Sequence, residues 1–173
     1  MARAVANLEQ RFDTFTTGQV GVLVRPDAEQ TPVLAKAEVE RALNAMDRTQ
    51  FGFEVQNDET GHPWVVINDK GLEALAHDVI AVGAALVAGG MADRVMAAVY
   101  PFKWRDATAG TERPLYWIYQ PRLRGYTPFV PAADAEHQER DHRLELMMEK
   151  AIRRDLPTHR QVTEWYPIWG MPV

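Results

Sequence analysis

The segment FGFEVQNDETGHPWVVI, residues 51–67, decides the predicted fold because it has the pattern of a β-hairpin. Residues 51–56 alternate Phe, Phe and Val with small or polar side chains, and this period of two is typical of a strand with one buried face. Residues 57–61, NDETG, are types that tolerate turn geometry. The run WVVI at 64–67 then predicts a second strand that pairs with the first.

Further strands and helices are predicted on both sides of this hairpin. A helix starts at Pro32, with Thr31 as its N-cap. Leucine and valine at spacings of three and four from Leu72 to Leu86 predict a second helix, which ends at Gly89 and Gly90. The remaining predictions are strands at 19–24, 95–102, 115–119 and 126–130, a loop at 103–113, and a helix over about 136–155.

The order of these elements is β-α-β-β-α-β-β-β-α followed by a tail. Because pairs of adjacent strands are mixed with single helices, the order predicts an α+β fold rather than alternating β-α units. We expect a single domain with a mainly antiparallel sheet and about three helices packed on one face. We place a polar N-terminal segment at 1–16, the α+β domain at 17–157 and an aromatic tail at 158–173 that packs on the domain.

Composition and charge narrow the class of protein. The chain has 173 residues, with 19 basic and 24 acidic side chains, so its formal net charge is −5. That sign argues against general nucleic-acid binding and against electrostatic docking on an anionic membrane. The apolar run at 79–90 is too short to span a bilayer, and the N-terminus lacks the apolar core of a secretory signal. We therefore expect a cytoplasmic protein without direct membrane insertion.

Candidate catalytic groups are sparse. There is no cysteine and no serine, and no glycine-rich phosphate loop joins a strand to a helix. Glu139 and His142 have the i, i+3 spacing of a metal pair on the predicted third helix, and Glu73 and His77 have an i, i+4 spacing on the second. Neither pair has the further ligands that a metal site needs. We expect no catalytic residue, metal or cofactor, and a metal-dependent enzyme that uses these four residues is the alternative.

Two groups of residues could bind a partner. Arg122 and Arg124 lie beside Tyr126 and could bind an acidic partner or a phosphate, although we favour a solvated hairpin turn as their explanation. The tail has Trp165, Tyr166 and Trp169 within five residues. Such aromatic side chains either cover one end of the sheet or anchor a partner, and one exposed ring would allow both.

Several phrases of the sequence resemble the PspA-associated protein family PspAB, an accessory of phage-shock-type envelope-stress systems. The most specific is the ending, Leu156-Pro157 followed by WYPIWGMP at 165–172. The other matching phrases are TGQVGV at 17–22, DETG at 58–61 with WVV at 64–66, RPLYWIY at 113–119 and YTPFVP at 126–131.

The resemblance implies a non-enzymatic stress-response accessory that binds PspA, a coiled-coil membrane-remodelling protein, or another protein of the same system. Recruitment to the inner face of the membrane would then go through a protein partner. Six residues are the candidate partner-binding set: Trp165, Tyr166, Trp169, Arg122, Arg124 and Tyr126.

The alternative protein-binding function is a chaperone-like module with a different client. The order of elements weakly resembles the secretion-chaperone and YbjN-like group. Proteins of that group are usually dimers, so a homodimer stays open.

Overall fold

The structure is a computed structural model that describes residues 2–44, 46, 52–68, 71–106, 110–132 and 138–173. Within these ranges the chain forms four α-helices and seven β-strands. Their bounds are α1 Ala2–Phe12, β1 Thr14–Thr16, β2 Gln19–Val24, α2 Pro32–Leu43, β3 Gly52–Asn57, β4 Pro63–Asn68, α3 Leu72–Ala88, β5 Val95–Asp106, β6 Thr111–Gln120, β7 Gly125–Phe129 and α4 His142–Ile152.

The strands are hydrogen-bonded in the order β3-β4-β2-β5-β6-β7, and β1 also pairs with β5. The sheet is antiparallel, and the predicted hairpin is present as β3 and β4, with Val55 opposite Val65. The predicted α+β fold with a mainly antiparallel sheet is therefore confirmed. The helix beyond the three that were predicted is α1.

The chain divides into two compact units. The first unit comprises residues 18–99 and 170–173, and the second comprises residues 1–17 and 100–169. Strand β5 contributes residues to both units.

In the first unit, α2 packs on β3 and β4, and α3 packs on β2 and β4. Helix α2 begins as predicted, because the Thr31 side chain accepts a hydrogen bond from the Leu34 amide. On α3 the predicted stripe faces inward, with Leu75, Val82 and Leu86 fully buried. Burial of this stripe against the sheet is the main stabilising contribution of the helix.

In the second unit, α4 packs on β7, and α1 packs on α4 and β1. The segment 1–16, predicted only as polar, forms α1 and β1. Helix α1 buries Leu8, and the Asn7 side-chain amide donates to the Asp155 carboxylate at 2.5 Å.

Two predicted boundaries in the second unit were wrong. Residues 103–106 and 111–113 belong to strands β5 and β6 rather than to a loop, while 107–109 lie outside the described residues. Helix α4 begins at His142 instead of about 136, because Asp141 caps it by accepting from the Leu144 amide at 3.0 Å. Residues 133–137 lie outside the described residues.

Candidate protein-binding surface

A buried ion pair holds the tail side of the second unit together. The Glu145 carboxylate on α4 has no exposed surface, and it accepts hydrogen bonds from the Arg140 guanidinium at 2.9 and 3.0 Å. It also accepts from the Val130 amide, just after β7, at 2.9 Å. The same guanidinium donates to the Trp165 carbonyl oxygen and lies 5.6 Å from the centre of the Phe129 ring. Arg140 therefore ties α4, β7 and the tail to one another.

The three aromatic residues of the tail lie in different environments. Trp165 is 4% exposed, and its indole N–H donates to the His159 carbonyl oxygen at 2.7 Å. The Trp169 ring meets the Phe129 ring edge-on, with 4.8 Å between the ring centres. Tyr166 is 53% exposed. Of these three rings, Tyr166 is therefore the most accessible to a partner.

The predicted arginine turn lies between β6 and β7. Residues 121–124 form the turn, and both Arg122 and Arg124 are exposed. Arg124 has φ of +50°, in the left-handed region that a tight turn requires. The turn therefore places both arginine side chains on the surface of the unit.

Tyr126 connects this turn to the tail. Its amide donates to the Pro157 carbonyl at 2.8 Å, and its carbonyl accepts from the His159 amide at 2.9 Å. Because His159 also accepts from Trp165, the turn and the start of the tail are linked through a short segment, residues 157–159. The structure thus brings together two groups that lie about 40 residues apart in the sequence.

Tyr126 packs with two further tyrosines. Its ring centre lies 5.0 Å from that of Tyr119 and 6.1 Å from that of Tyr100. Burial raises the pKa of Tyr100 and that of Tyr126 above the ordinary value for tyrosine. These hydroxyls therefore stay protonated at neutral pH.

The predicted metal pairs do not assemble a site in the described part of the chain. Glu139 precedes α4, so Glu139 and His142 do not share a helix face as predicted; His142 instead lies 3.2 Å from Glu145. His77 is exposed on α3, 3.7 Å from the Asp78 carboxylate. Among the described residues, no group of three or more histidine, aspartate or glutamate side chains could hold a metal ion.

A cavity of about 410 Å³ lies in the first unit, between α2 and α3. Its acidic group is Glu38, which lies 2.9 Å from the buried Arg94. The hydrogen bond from Arg94 lowers the pKa of Glu38, so this carboxylate is ionised and paired at neutral pH. It is suited to holding Arg94 rather than to donating a proton. The cavity is lined by Glu38, Arg41, Ala42, Ala85, Ala88, Gly89 and Met91.

The predicted helix over about 136–155 did not identify one exposed surface. The outer side of α4 has two half-exposed apolar side chains, Leu146 and Met147, among basic residues. The signal that could have found it is the separation of charges by sign: the basic side chains and the acidic ones on this helix occupy different faces.

The whole length of the chain was compared with known proteins. No helix in the described ranges is both long and apolar enough to cross a membrane. No curated protein and no solved structure matches the chain significantly. The family model PspAB, PspA associated protein B, matches residues 1–173. The chain therefore belongs to the PspAB family.

Proposed function

We propose that this chain is a non-enzymatic cytoplasmic accessory of a phage-shock-type envelope-stress system, and that it binds PspA or another protein of that system. The observation that carries the proposal is the match of the entire chain to a family defined by association with PspA. Recruitment to the inner face of the membrane would then depend on the partner.

The geometry of the second unit supports a protein-binding function. Tyr166 is exposed, while its neighbour Trp165 is buried and hydrogen-bonded through both its indole N–H and its carbonyl oxygen. An exposed aromatic ring on a fixed backbone loses little conformational freedom when it binds, which favours affinity. The exposed guanidinium groups of Arg122 and Arg124 add donors that match carboxylates of a partner.

The test is a titration of the purified chain with PspA from the same organism, followed by fluorescence anisotropy. The variants are Tyr166→Ala and the double change Arg122→Gln/Arg124→Gln, with Arg11→Gln as the control because Arg11 is exposed at the end of α1. We expect the wild type and the control to bind alike. We expect the dissociation constant of at least one of the two variants to be at least fivefold larger.

A tagged pull-down from the native cell completes the test. Recovery of PspA or another phage-shock protein with stoichiometric yield would support the proposal. Recovery of an unrelated client instead would favour the chaperone-like alternative. Absence of any partner, with and without envelope stress, would contradict a protein-binding function.

A further inference from the structure

Helix α4 separates its charges by sign. Its two glutamates face inward: Glu145 pairs with Arg140, and Glu149 accepts from the Thr158 hydroxyl at 2.7 Å. Four exposed cations lie on the outward side of the helix and at the two positions that follow it. No exposed carboxylate lies between them on the helix. These cations are Arg143, Lys150, Arg153 and Arg154.

None of the ion pairs between described residues includes one of these four cations. The chain as a whole has a formal net charge of −5, so this face opposes the overall sign. A basic face on an acidic protein is the charge pattern that selects an acidic partner and increases its association rate.

Two apolar side chains lie at the centre of this face. Leu146 is 46% exposed and Met147 is 49% exposed. Arg143 precedes them by three and four residues, and Lys150 follows them by four and three. These two cations and the two apolar side chains therefore lie on one helical stripe. An apolar centre with a charged rim is the usual layout of a protein–protein contact, and methionine adapts well to partner surfaces.

We infer that this stripe, residues 143, 146, 147, 150, 153 and 154, is the docking surface for an acidic amphipathic helix of the partner. The inference rests on the proposed function and names the chemistry of the bound segment. A helix that packs along the stripe would place apolar side chains on Leu146 and Met147, and carboxylates beside the cations.

An anionic membrane is the other class of surface that a basic helix can bind, but the burial of α4 favours a protein. Membrane-surface helices bury a broad apolar face in the headgroup region. The apolar face of α4, with Leu144, Met148 and Ile152, is already buried in the fold, which leaves Leu146 and Met147 as the exposed apolar side chains of the helix.

The first experiment titrates purified PspA with the wild type, with Arg143→Glu/Lys150→Glu and with Arg11→Glu as a single-site charge-reversal control. We expect the double variant to bind at least tenfold more weakly, the control to bind like the wild type, and the wild-type affinity to fall as salt rises. Thermal unfolding by circular dichroism checks that the double variant keeps its fold. Equal affinity of the double variant and the wild type would overturn the inference and leave the proposed function intact.

The second experiment decides the inference even if PspA is not the partner. A benzophenone amino acid replaces Met147 in the native cell, and a matched probe replaces the exposed Ile80 on α3. We expect the probe at 147 to cross-link to an acidic amphipathic helix, located by mass spectrometry, and the probe at 80 not to do so.

Two outcomes of the second experiment would contradict the inference: adducts confined to segments without acidic helical character, and absence of adducts at 147. A third experiment mixes the wild type and the double variant with phosphatidylglycerol vesicles. Co-sedimentation of the wild type that the double variant abolishes would also contradict the inference and would assign the stripe to a lipid surface instead.

Discussion

The Arg140 guanidinium lies 2.9 Å from the Glu145 carboxylate, and that carboxylate is completely buried. A buried ion pair contributes little net stability, because the cost of desolvating both charges offsets their attraction. Removal of Arg140 alone is a different matter, because the buried Glu145 charge then loses its guanidinium partner and keeps the Val130 amide and His142 beside it. The pair therefore links α4, β7 and the tail strongly to the fold without being a large source of stability.

Substitution of Arg140 should destabilise the protein strongly. We expect Arg140→Ala to lower the free energy of unfolding by about 3–5 kcal/mol, the usual cost of leaving a buried charge unpaired. The double variant Arg140→Met/Glu145→Met should be less destabilised than Arg140→Ala, although the Val130 amide then loses its acceptor. Urea unfolding followed by circular dichroism measures the stability of the wild type and of both variants, with the exposed Arg143→Ala as the control. A cost for Arg140→Ala no larger than that of the control would show that the pair is not important for stability.

Trp165 and Tyr166 should differ sharply in their effect on stability. Trp165→Ala removes a buried ring and should cost about 3–5 kcal/mol, whereas Tyr166→Ala should stay within about 0.5 kcal/mol of the wild type. Trp165→Phe keeps most of the apolar area and loses the hydrogen bond to His159, so about 1 kcal/mol is expected. Similar melting temperatures for Trp165→Ala and Tyr166→Ala would contradict the burial of Trp165. The difference also means that a loss of partner binding in Trp165→Ala would need a stability control.

The elements that were predicted well have a strong local signal. Strand β2 spans the predicted residues 19–24, and the hairpin follows from the alternation of residues 51–56 before the NDETG turn and the apolar run at 64–67 after it. Helix α3 follows from leucine and valine at regular helical spacing, and Gly89 caps it as expected. In each case the pattern of one short segment contains the information, so no knowledge of distant contacts is needed.

The elements that were missed depend on contacts made far along the chain. Helix α1 is an exception, because Val5, Leu8 and Phe12 are spaced by three and four residues and this pattern could have predicted it. The exposure of Tyr166 and the burial of Trp165 could not be predicted, because an irregular tail has no period that assigns its side chains to faces. The contact of Arg140 with the tail joins residues 25 positions apart. The six candidate binding residues stay a prediction. The outer face of α4 was missed, although the separation of its charges by sign could have indicated it.

Asp58 should make the stability of the first unit depend on pH in the acid range. Burial alone would raise the pKa of Asp58, but hydrogen bonds from the Trp64 indole and from Thr60 and His62 outweigh it, so the pKa is lowered. A group whose pKa is lower in the folded state stabilises the fold above its unfolded pKa of about 3.9. This contribution is lost as pH falls through the folded value.

The matched variant for this prediction is Asp58→Asn. In Asp58 one carboxylate oxygen accepts from the Trp64 indole N–H and the other accepts from the Thr60 amide. The asparagine side chain has a single oxygen and cannot replace both acceptors, so we expect a loss of about 1–3 kcal/mol at pH 7. Guanidinium unfolding at pH 7 and pH 3 should show a smaller decrease for the variant than for the wild type. Parallel decreases in both proteins would assign the acid sensitivity to other carboxylates.

Gly21 should tolerate no side chain, for a reason of space. It pairs with Val66 on one side and Val99 on the other, and a Cβ atom there would lie 2.9 Å from the Trp64 ring and 3.0 Å from the Val173 side chain. Carbon atoms at these distances overlap, and Trp64 is fully buried, so its ring cannot move aside without disturbing the core. We expect Gly21→Ala to cost about 1–3 kcal/mol.

The control and a second variant make this last prediction specific. Gly52 also lies in a strand, but a Cβ there meets nothing within 4 Å, so Gly52→Ala should be neutral or slightly stabilising. If the Val173 contact is part of the cost, Gly21→Ala should be less damaging in a Val173→Ala background than in the wild type. Chemical unfolding of the four proteins gives the coupling energy directly. Equal effects of Gly21→Ala and Gly52→Ala would refute the steric argument, while a large effect without coupling would assign the overlap to Trp64 alone.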